Sequence, residues 1–187
     1  SVVVVDNAST DGSVEWLQAH YPQVSIIQNE KNLGFGRANN RAFHEISNVS
    51  YFALLNSDMS VGPDWLVKLV ESAESDERIA AVGPKILYAR KDARTGKPLI
   101  NSAGGVIDRF DRGFDRGEGE IDRGQYDRQE QVRFVSGGAM LLRAEAVREV
   151  EGFDERMFCY YEDVDVCLRL AEKGWKIWYD GSVVVFH

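Results

Sequence analysis

Three short polar clusters hold the side chains best suited to chemistry in this sequence, and each follows an apolar or β-branched run. Asp6 and Asn7 follow residues 2–5; Asn32, Gly34 and Arg37 lie in a turn after residues 24–28; Asn56 and Asp58 follow residues 51–55. In an open parallel sheet ligands collect beyond the carboxyl ends of the strands, so the three clusters would share one rim. A carboxylate at Asp6 can accept from a nucleobase N–H or a ribose hydroxyl, and Arg37 offers a fork matched to phosphate or a carbonyl edge. Asp58 is a hard oxygen ligand able to hold a divalent cation that keeps waters and takes phosphate oxygens. Each cluster can also be read as a turn or helix cap, which the same residue types favour. Residues 32–36, Asn-Leu-Gly-Phe-Gly, match neither GxGxxG nor a Walker loop, so by themselves they say little about phosphate.

A second constellation runs Gly152-Phe-Asp-Glu155 and then Tyr160-Tyr-Glu-Asp-Val-Asp165 at the start of a helical segment. Acids in a first helical turn are favoured by the macrodipole whatever else they do. Asp163 and Asp165 lie about 200° apart on a helix, so both cannot face one cavity. Asp165 has Arg169 at i+4 and reads as a paired surface acid. Asp163, with Glu162 beside it, is left to face a ligand. His187 ends a β-rich run, where an imidazole is either an ordinary core or surface group or a metal ligand.

The elements that must position these groups follow from periodicity. Strands are expected at residues 2–5, 24–28, 51–55 and 79–88, alternating with helices at 13–20, from the turn at 32–36 to about 46, and at 64–74 with Pro63 as a first helical residue. This alternation is that of βαβ units. Short strands at 132–135, 139–142, 176–179 and 183–186, with helices at 144–150 and 162–173, complete the chain. Between residues 89 and 131 Gly, Asp and Arg dominate, and Asp-Arg recurs at 108, 111, 115, 122 and 127. That segment reads as a solvated loop with internal ion pairs and a short hairpin, either tethered or acting as a lid that orders when a ligand binds.

Composition bounds the function. With 187 residues, 44% hydrophobic and 28% charged, the chain has the bulk of one sizeable globular domain. A net charge of −8 argues against a nucleic-acid partner. Cys159 and Cys167 cannot form a zinc cluster by themselves, and they favour a reducing, cytoplasmic setting. The longest apolar runs are far too short to span a bilayer.

The motifs Val4-Val-Asp-Asn-Ala-Ser-Thr-Asp-Gly12, Asn32-Leu-Gly-Phe-Gly-Arg-Ala-Asn-Asn40, Leu55-Asn-Ser-Asp58, Val135-Ser-Gly-Gly138, Gly152-Phe-Asp-Glu155 and Glu162-Asp-Val-Asp-Val-Cys-Leu-Arg169, with Gly174-Trp-Lys-Ile177 and His187, together resemble the family 2 glycosyltransferases of GT-A fold. Residues 117–126 resemble the variable loop of the family's rhamnosyltransferase-like branch. The resemblance implies an α/β fold, a mainly parallel twisted sheet flanked by helices, with a smaller mixed sheet in the second half. It implies a single catalytic domain, residues 1–90 binding the nucleotide sugar and 91–187 forming the acceptor and catalytic half.

The implied reaction is inverting transfer of a sugar from a nucleotide diphosphate donor to a hydroxyl acceptor, a saccharide or lipid-linked saccharide, in cell-surface polysaccharide or glycolipid synthesis. By resemblance Asp6 is the base-recognition acid, Asp58 the last acid of the metal motif for Mn2+ or Mg2+, Asp163 the catalytic base with Glu162 beside it, and His187 a further metal-side ligand. Asn7, Asn32, Gly34, Arg37, Asn56, Gly137 and Gly138 are the expected substrate-binding positions, the two glycines letting backbone approach a sugar. A cytoplasmic place is expected, allowing for peripheral attachment at the inner face of the membrane, and a homodimer is compatible with it. Two departures stand out. Asn56 replaces the first acid of the metal motif, and the family's usual first strand and helix are absent ahead of Ser1, as in a fragment or a variant that fills the gap otherwise. The alternative readings are a non-catalytic nucleotide-sugar-binding module and a nucleotidyltransferase, although the latter would be expected to carry a Gly-rich triphosphate loop.

Overall fold

The structure, a computed structural model, describes residues 1–110 and 112–187; Asp111, one of the recurring Asp-Arg positions, lies outside the described residues. The first part comprises β1 (Val3–Asp6), α1 (Ser13–His20), β2 (Ser25–Gln28), α2 (Phe35–Glu45), β3 (Tyr51–Leu55), β4 (Ser60–Val61), α3 (Trp65–Glu74) and β5 (Ile79–Lys91). Then come β6 (Pro98–Ser102), β7 (Gly105–Ile107), β8 (Gly113–Asp115), β9 (Gln129–Gln131), β10 (Ala139–Arg143), α4 (Ala144–Glu149), α5 (Glu162–Glu172) and β11 (Lys176–Phe186). The periodicity places the helices to within a residue or two. Pro63 stands ahead of the Asp64 N-cap rather than inside the first turn.

Two long strands make the centre. From Ile79 to Leu87 every residue of β5 is buried, the mark of a strand covered on both faces. It pairs in parallel with β11, which runs unbroken in sequence from 176 to 186 with a register irregularity between Asp180 and Val184, where two separate strands were expected. One edge of β5 takes β10, which leads on to β3, and farther along it takes β6; the far edge of β11 takes β9 and then β4. β1 and β2 form their own parallel pair, and β7 with β8 a small antiparallel one.

The α/β class, central sheet, flanking helices and smaller sheet in the second half are as expected. The pairing differs from a mainly parallel sheet, because only β5–β11 and β1–β2 run parallel and every other pair is antiparallel. Apolar runs report burial on both faces, and a strand so buried has the same pattern whichever way its neighbour runs. Residues 132–135 form no strand, contributing one isolated bridge from Phe134 to Gly105.

Side chains leave the sheet in both directions. Met140 and Leu142 enter a core built with α4 and α5, whereas Leu141 between them packs with Leu69 and Ala73 of α3 on the opposite face. An aromatic group fastens α2 to this frame: Phe43 lies 4.5 Å from Phe52 and 5.8 Å from Phe153, and Phe35 meets Phe153 edge-on at 5.6 Å.

The glycine- and charge-rich excursion is not a free solvated loop. It supplies β6 and β9 to the main sheet, and Lys85, whose side chain is 4% exposed in the middle of β5, reaches out to Asp122 at 3.0 Å and to Asp127. Burial alone would pull the Lys85 pKa down, but the two carboxylates outweigh it and hold the ammonium charged. Internal ion pairs exist as expected, the local Asp108–Arg112 and Arg128–Glu130 together with Arg116–Glu130 (2.9 Å) between more distant partners. A tethered segment accounts for these contacts better than a lid that orders only with donor.

Replacing Lys85 with Ala leaves Asp122 half-enclosed without its cation. The loss should be roughly 1–3 kcal/mol, below the roughly 3–5 kcal/mol of a fully buried pair because Asp127 is largely solvated. Denaturant unfolding reads this, and hydrogen exchange should show residues 114–131 protected in the wild type without nucleotide and deprotected in Lys85→Ala.

Candidate active site

The polar clusters do converge. Asp6 ends β1, is buried, and both of its carboxylate oxygens accept the Ser9 N–H at 3.2 Å, closing the turn before α1. Asn7 works on the neighbouring turn: its Oδ1 accepts from Asn29 Nδ2 at 2.9 Å and from the Leu33 N–H at 3.4 Å, while its Nδ2 donates to the Gly34 carbonyl at 3.2 Å. Asn32 Oδ1 accepts the Gly34 N–H at 2.9 Å. The Asn7 and Asn32 side chains thus shape the turn they were expected to offer to a ligand.

That turn is a seat for another loop. Gly34 has φ 81°, and a Cβ there would collide with the Phe158 carbonyl, which accepts the Phe35 N–H at 2.9 Å. Arg37 Nε donates to Glu155 at 3.0 Å in a half-exposed pair, which fixes the direction of the guanidinium. Asn40, one helical turn on and buried, donates Nδ2 to the Phe153 carbonyl and accepts the Phe153 N–H, both at 2.8 Å. Sequence reasoning gave Asn40 no role, because an Asn inside a helix carries no mark of what it will face. Here it holds the Gly152-Phe-Asp-Glu155 segment to α2. Arg169 adds bonds to the Val150 and Gly152 carbonyls at 2.6 and 2.8 Å, besides its expected pair with Asp165.

The two residues expected on the metal side, far apart in sequence, meet. Asp58 Oδ2 and His187 Nε2 are 3.3 Å apart, and His187 Nδ1 lies 3.3 Å from Asn101 Oδ1 on β6. The His187 backbone is pinned by bonds to Leu87 and Ala89 just past the end of β11. A proton on Nδ1, donated to Asn101, leaves the Nε2 lone pair for a metal. No group of three or more His, Cys, Asp or Glu placed to share one ion occurs among the described residues. Two protein ligands, an oxygen and a nitrogen, fit a Mn2+ or Mg2+ ion that fills its shell with water and diphosphate oxygens.

A turn at Ser136–Gly138 joins this side to the acid pair. The Asn56 N–H donates to the Gly138 carbonyl at 2.8 Å, and the Gly137 N–H donates to Asp163 Oδ2 at 2.9 Å. A Cβ on Gly137 would press on the Phe35 ring at 3.2 Å and on the Asp163 Cβ at 3.3 Å, so a side chain here would shift the acid or the ring by a few tenths of an ångström. Asp163 Oδ1 also accepts the Val164 N–H at 2.8 Å, yet each carboxylate oxygen keeps a further lone pair. Burial raises the Asp163 pKa above the usual carboxylate range, against the backbone donors that lower it. Glu162 is more deeply placed, 6% exposed, with Oε2 lacking any hydrogen-bond partner among the described residues; burial raises its pKa as well. By residue exposure Glu162 is buried and Asp163 only partly so. The residues ahead of them, Tyr160 and Tyr161, have φ of 71° and 70°, a left-handed conformation that costs a non-glycine residue roughly 1–3 kcal/mol.

Residues 1–151 match the family model described as Glycosyl transferase family 2. The chain belongs to that family. Over its whole length it is 31% identical to the N-acetylglucosaminyl-diphospho-decaprenol L-rhamnosyltransferase of Mycobacterium tuberculosis, of which it spans 66%. Among solved structures it resembles GalNAc-T7 with UDP, GalNAc and Mn2+ (TM-score 0.75, 15% identity, all of this chain and 37% of that one). It also resembles the mannosyltransferase PcManGT from Pyrobaculum calidifontis with GDP-Man and Mn2+ (TM-score 0.67, 18% identity, all of this chain and 47% of that one). These likenesses show the expected GT-A fold.

Because burial lifts the native Asp163 pKa above its unfolded value near 3.9, its ionised form at neutral pH opposes folding; what the group adds to stability is present below that value and lost as pH rises through the native pKa. Asp163→Asn keeps one acceptor, for the Gly137 N–H, and turns its NH2 toward the Val164 N–H, a loss that does not depend on pH. Thermal unfolding should therefore show the variant's stability relative to the wild type highest at pH 7 and falling as pH drops toward 4.

Proposed function

We propose that this chain transfers a sugar from a nucleotide diphosphate donor to a hydroxyl acceptor, with inversion at the anomeric carbon. The observation that carries the reading is the Ser136–Gly138 turn, one backbone bonded to the Asp58 segment on one side and to the Asp163 carboxylate on the other. Such a link sets the two halves of a displacement at a fixed spacing.

Asp163 takes the proton of the acceptor hydroxyl as its oxygen attacks the anomeric carbon. The bond from that carbon to the diphosphate breaks on the opposite face, and the electron pair leaves with the diphosphate. Asp58 and His187 would hold a divalent cation, whose chemistry is to neutralise charge on the departing diphosphate. Glu162 is buried with Oε2 unpartnered among the described residues, and burial first, then the neighbouring Asp163 carboxylate, favours a proton on it. Asp6 lies at the rim where a nucleoside would sit, and its turn with Ser9 is the first candidate for base recognition. The mycobacterial relative is named for a lipid-linked N-acetylglucosaminyl acceptor and rhamnosyl transfer, and we extend that acceptor class to this chain. No helix among the described residues is long and apolar enough to cross a membrane.

Incubation with nucleotide sugars and Mn2+, with and without a saccharide acceptor, separates transfer from binding alone. Asp163→Asn should lower turnover at least 100-fold with donor affinity kept, the size expected of a positioned base. Near-normal turnover in that variant ends its role as base. The wild-type rate should rise with pH along an acidic limb lying above the ordinary carboxylate range, since only ionised Asp163 can take a proton. Calorimetry on Asp58→Ala should show metal-dependent donor binding strongly weakened; unchanged affinity would remove Asp58 from the site.

A further inference from the structure

The loop between Phe153 and α5 shows an imbalance. Its early part is fastened with care: Asn40 grips Phe153, Arg37 pairs with Glu155, and the Phe158 carbonyl sits on Gly34 and Phe35. Its end is the reverse. Phe158 is 59% exposed, Tyr160 82% and Tyr161 51%, so three aromatic side chains in four residues face solvent. Tyr160 and Tyr161 are also both left-handed, a backbone state that glycine or asparagine would adopt at less cost. Burial of the rings does not offset this strain, because the rings are not buried. If the chain needed only the turn into Glu162 and Asp163, glycine would supply it.

We propose that Tyr160 and Tyr161 form a stacking platform for the sugar ring of the acceptor, held beside Asp163 so that the ring's hydroxyl reaches the base. The proposal deepens the transferase reading above and rests on it. A tyrosine ring offers a flat apolar face with a polar tip, which suits a pyranose with its C–H face and its rim of hydroxyls. Its two rotatable side-chain bonds make it an economical contact in conformational entropy. The position argues for the acceptor rather than the nucleotide, because Tyr161 directly precedes the acid pair, whereas the Asp58–His187 pair lies across the Ser136–Gly138 turn.

Glycine substitutions separate the rings from the backbone. Tyr160→Gly and Tyr161→Gly keep the left-handed turn available, so the fold and the start of α5 should persist, as circular dichroism and unfolding midpoints would show. The probes are N-acetylglucosamine and its octyl glycoside, followed by saturation-transfer-difference NMR, with UDP and Mn2+ affinity measured in parallel. In the wild type, saturation should fall on the sugar-ring protons of both probes. It should drop about 10-fold in the double glycine variant and persist in Tyr160→Phe/Tyr161→Phe, with UDP affinity unchanged throughout. Absence of ring saturation in the wild type, saturation confined to the octyl chain, or ring contacts that survive in the glycine variant overturn the platform; the second result would assign the patch to a lipid surface. Transfer assays read the underlying reading separately: a wild type that binds the sugar ring but transfers no sugar from any donor counts against the transferase, not the platform.

Discussion

A single backbone turn, Ser136-Gly-Gly138, sets the geometry on which the site depends. Its outward carbonyl and inward N–H bind Asn56 and Asp163 respectively, so the end of β3 and the head of α5 are tied through two hydrogen bonds. The turn can do this because it leads straight into β10, which pairs along its whole length with β3 on one edge and through Leu141 and Leu142 with β5 on the other. A side chain at Gly137 would push the Phe35 ring and Asp163 away together. Rigidity at the acid is thereby inherited from the sheet rather than from the loops around it.

The same economy holds for the loop ahead of α5. Its attachments all come from α2 and the turn before it: the Asn40 amide, the Arg37 guanidinium and the Phe35 N–H. α2 is in turn locked by the Phe43–Phe52–Phe153 group. Of the residues that look like ligand contacts in sequence, Asn7 is spent in this work, together with Asn32 Oδ1 and Arg37 Nε. Asp58, His187 and Asp163, to which the proposed chemistry falls, keep acceptor capacity open.

Leaving them open has a cost in folding. Asp163 and Glu162 are both taken out of water, Glu162 with an oxygen that no donor satisfies, and burial lifts both pKa values. A protein selected for stability alone would exchange them for amides or apolar residues. Tyr160 and Tyr161 add backbone strain at the same place. Unfavourable terms gathered at the head of one helix are the mark of a working site, sustained by the well-packed core beneath it, where Val166, Cys167 and Leu170 are fully buried.

Much of this was legible in the residues. Apolar runs and helical periods located the helices and most strands, and the i+4 spacing of Asp165 and Arg169 predicted their pair and left Asp163 to face elsewhere, because local geometry along one helix depends on nothing outside it. Strand direction was not legible: β5 would be equally apolar beside a parallel or an antiparallel neighbour. Nor was the fate of the charged excursion, since Asp122 and Asp127 look like solvated acids until Lys85, 37 and 42 residues away, is seen buried beneath them. The meeting of Asp58 with His187 across 129 residues, and the grip of Asn40 on Phe153 across 113, belong to the same class. Sequence by itself determined which residue types were available and which short-range pairs they would form. Which of them would touch, and which would stay free for a substrate, was decided only by long-range packing of the sheet, because a side chain's partner there is set by the register of strands and not by its distance along the chain.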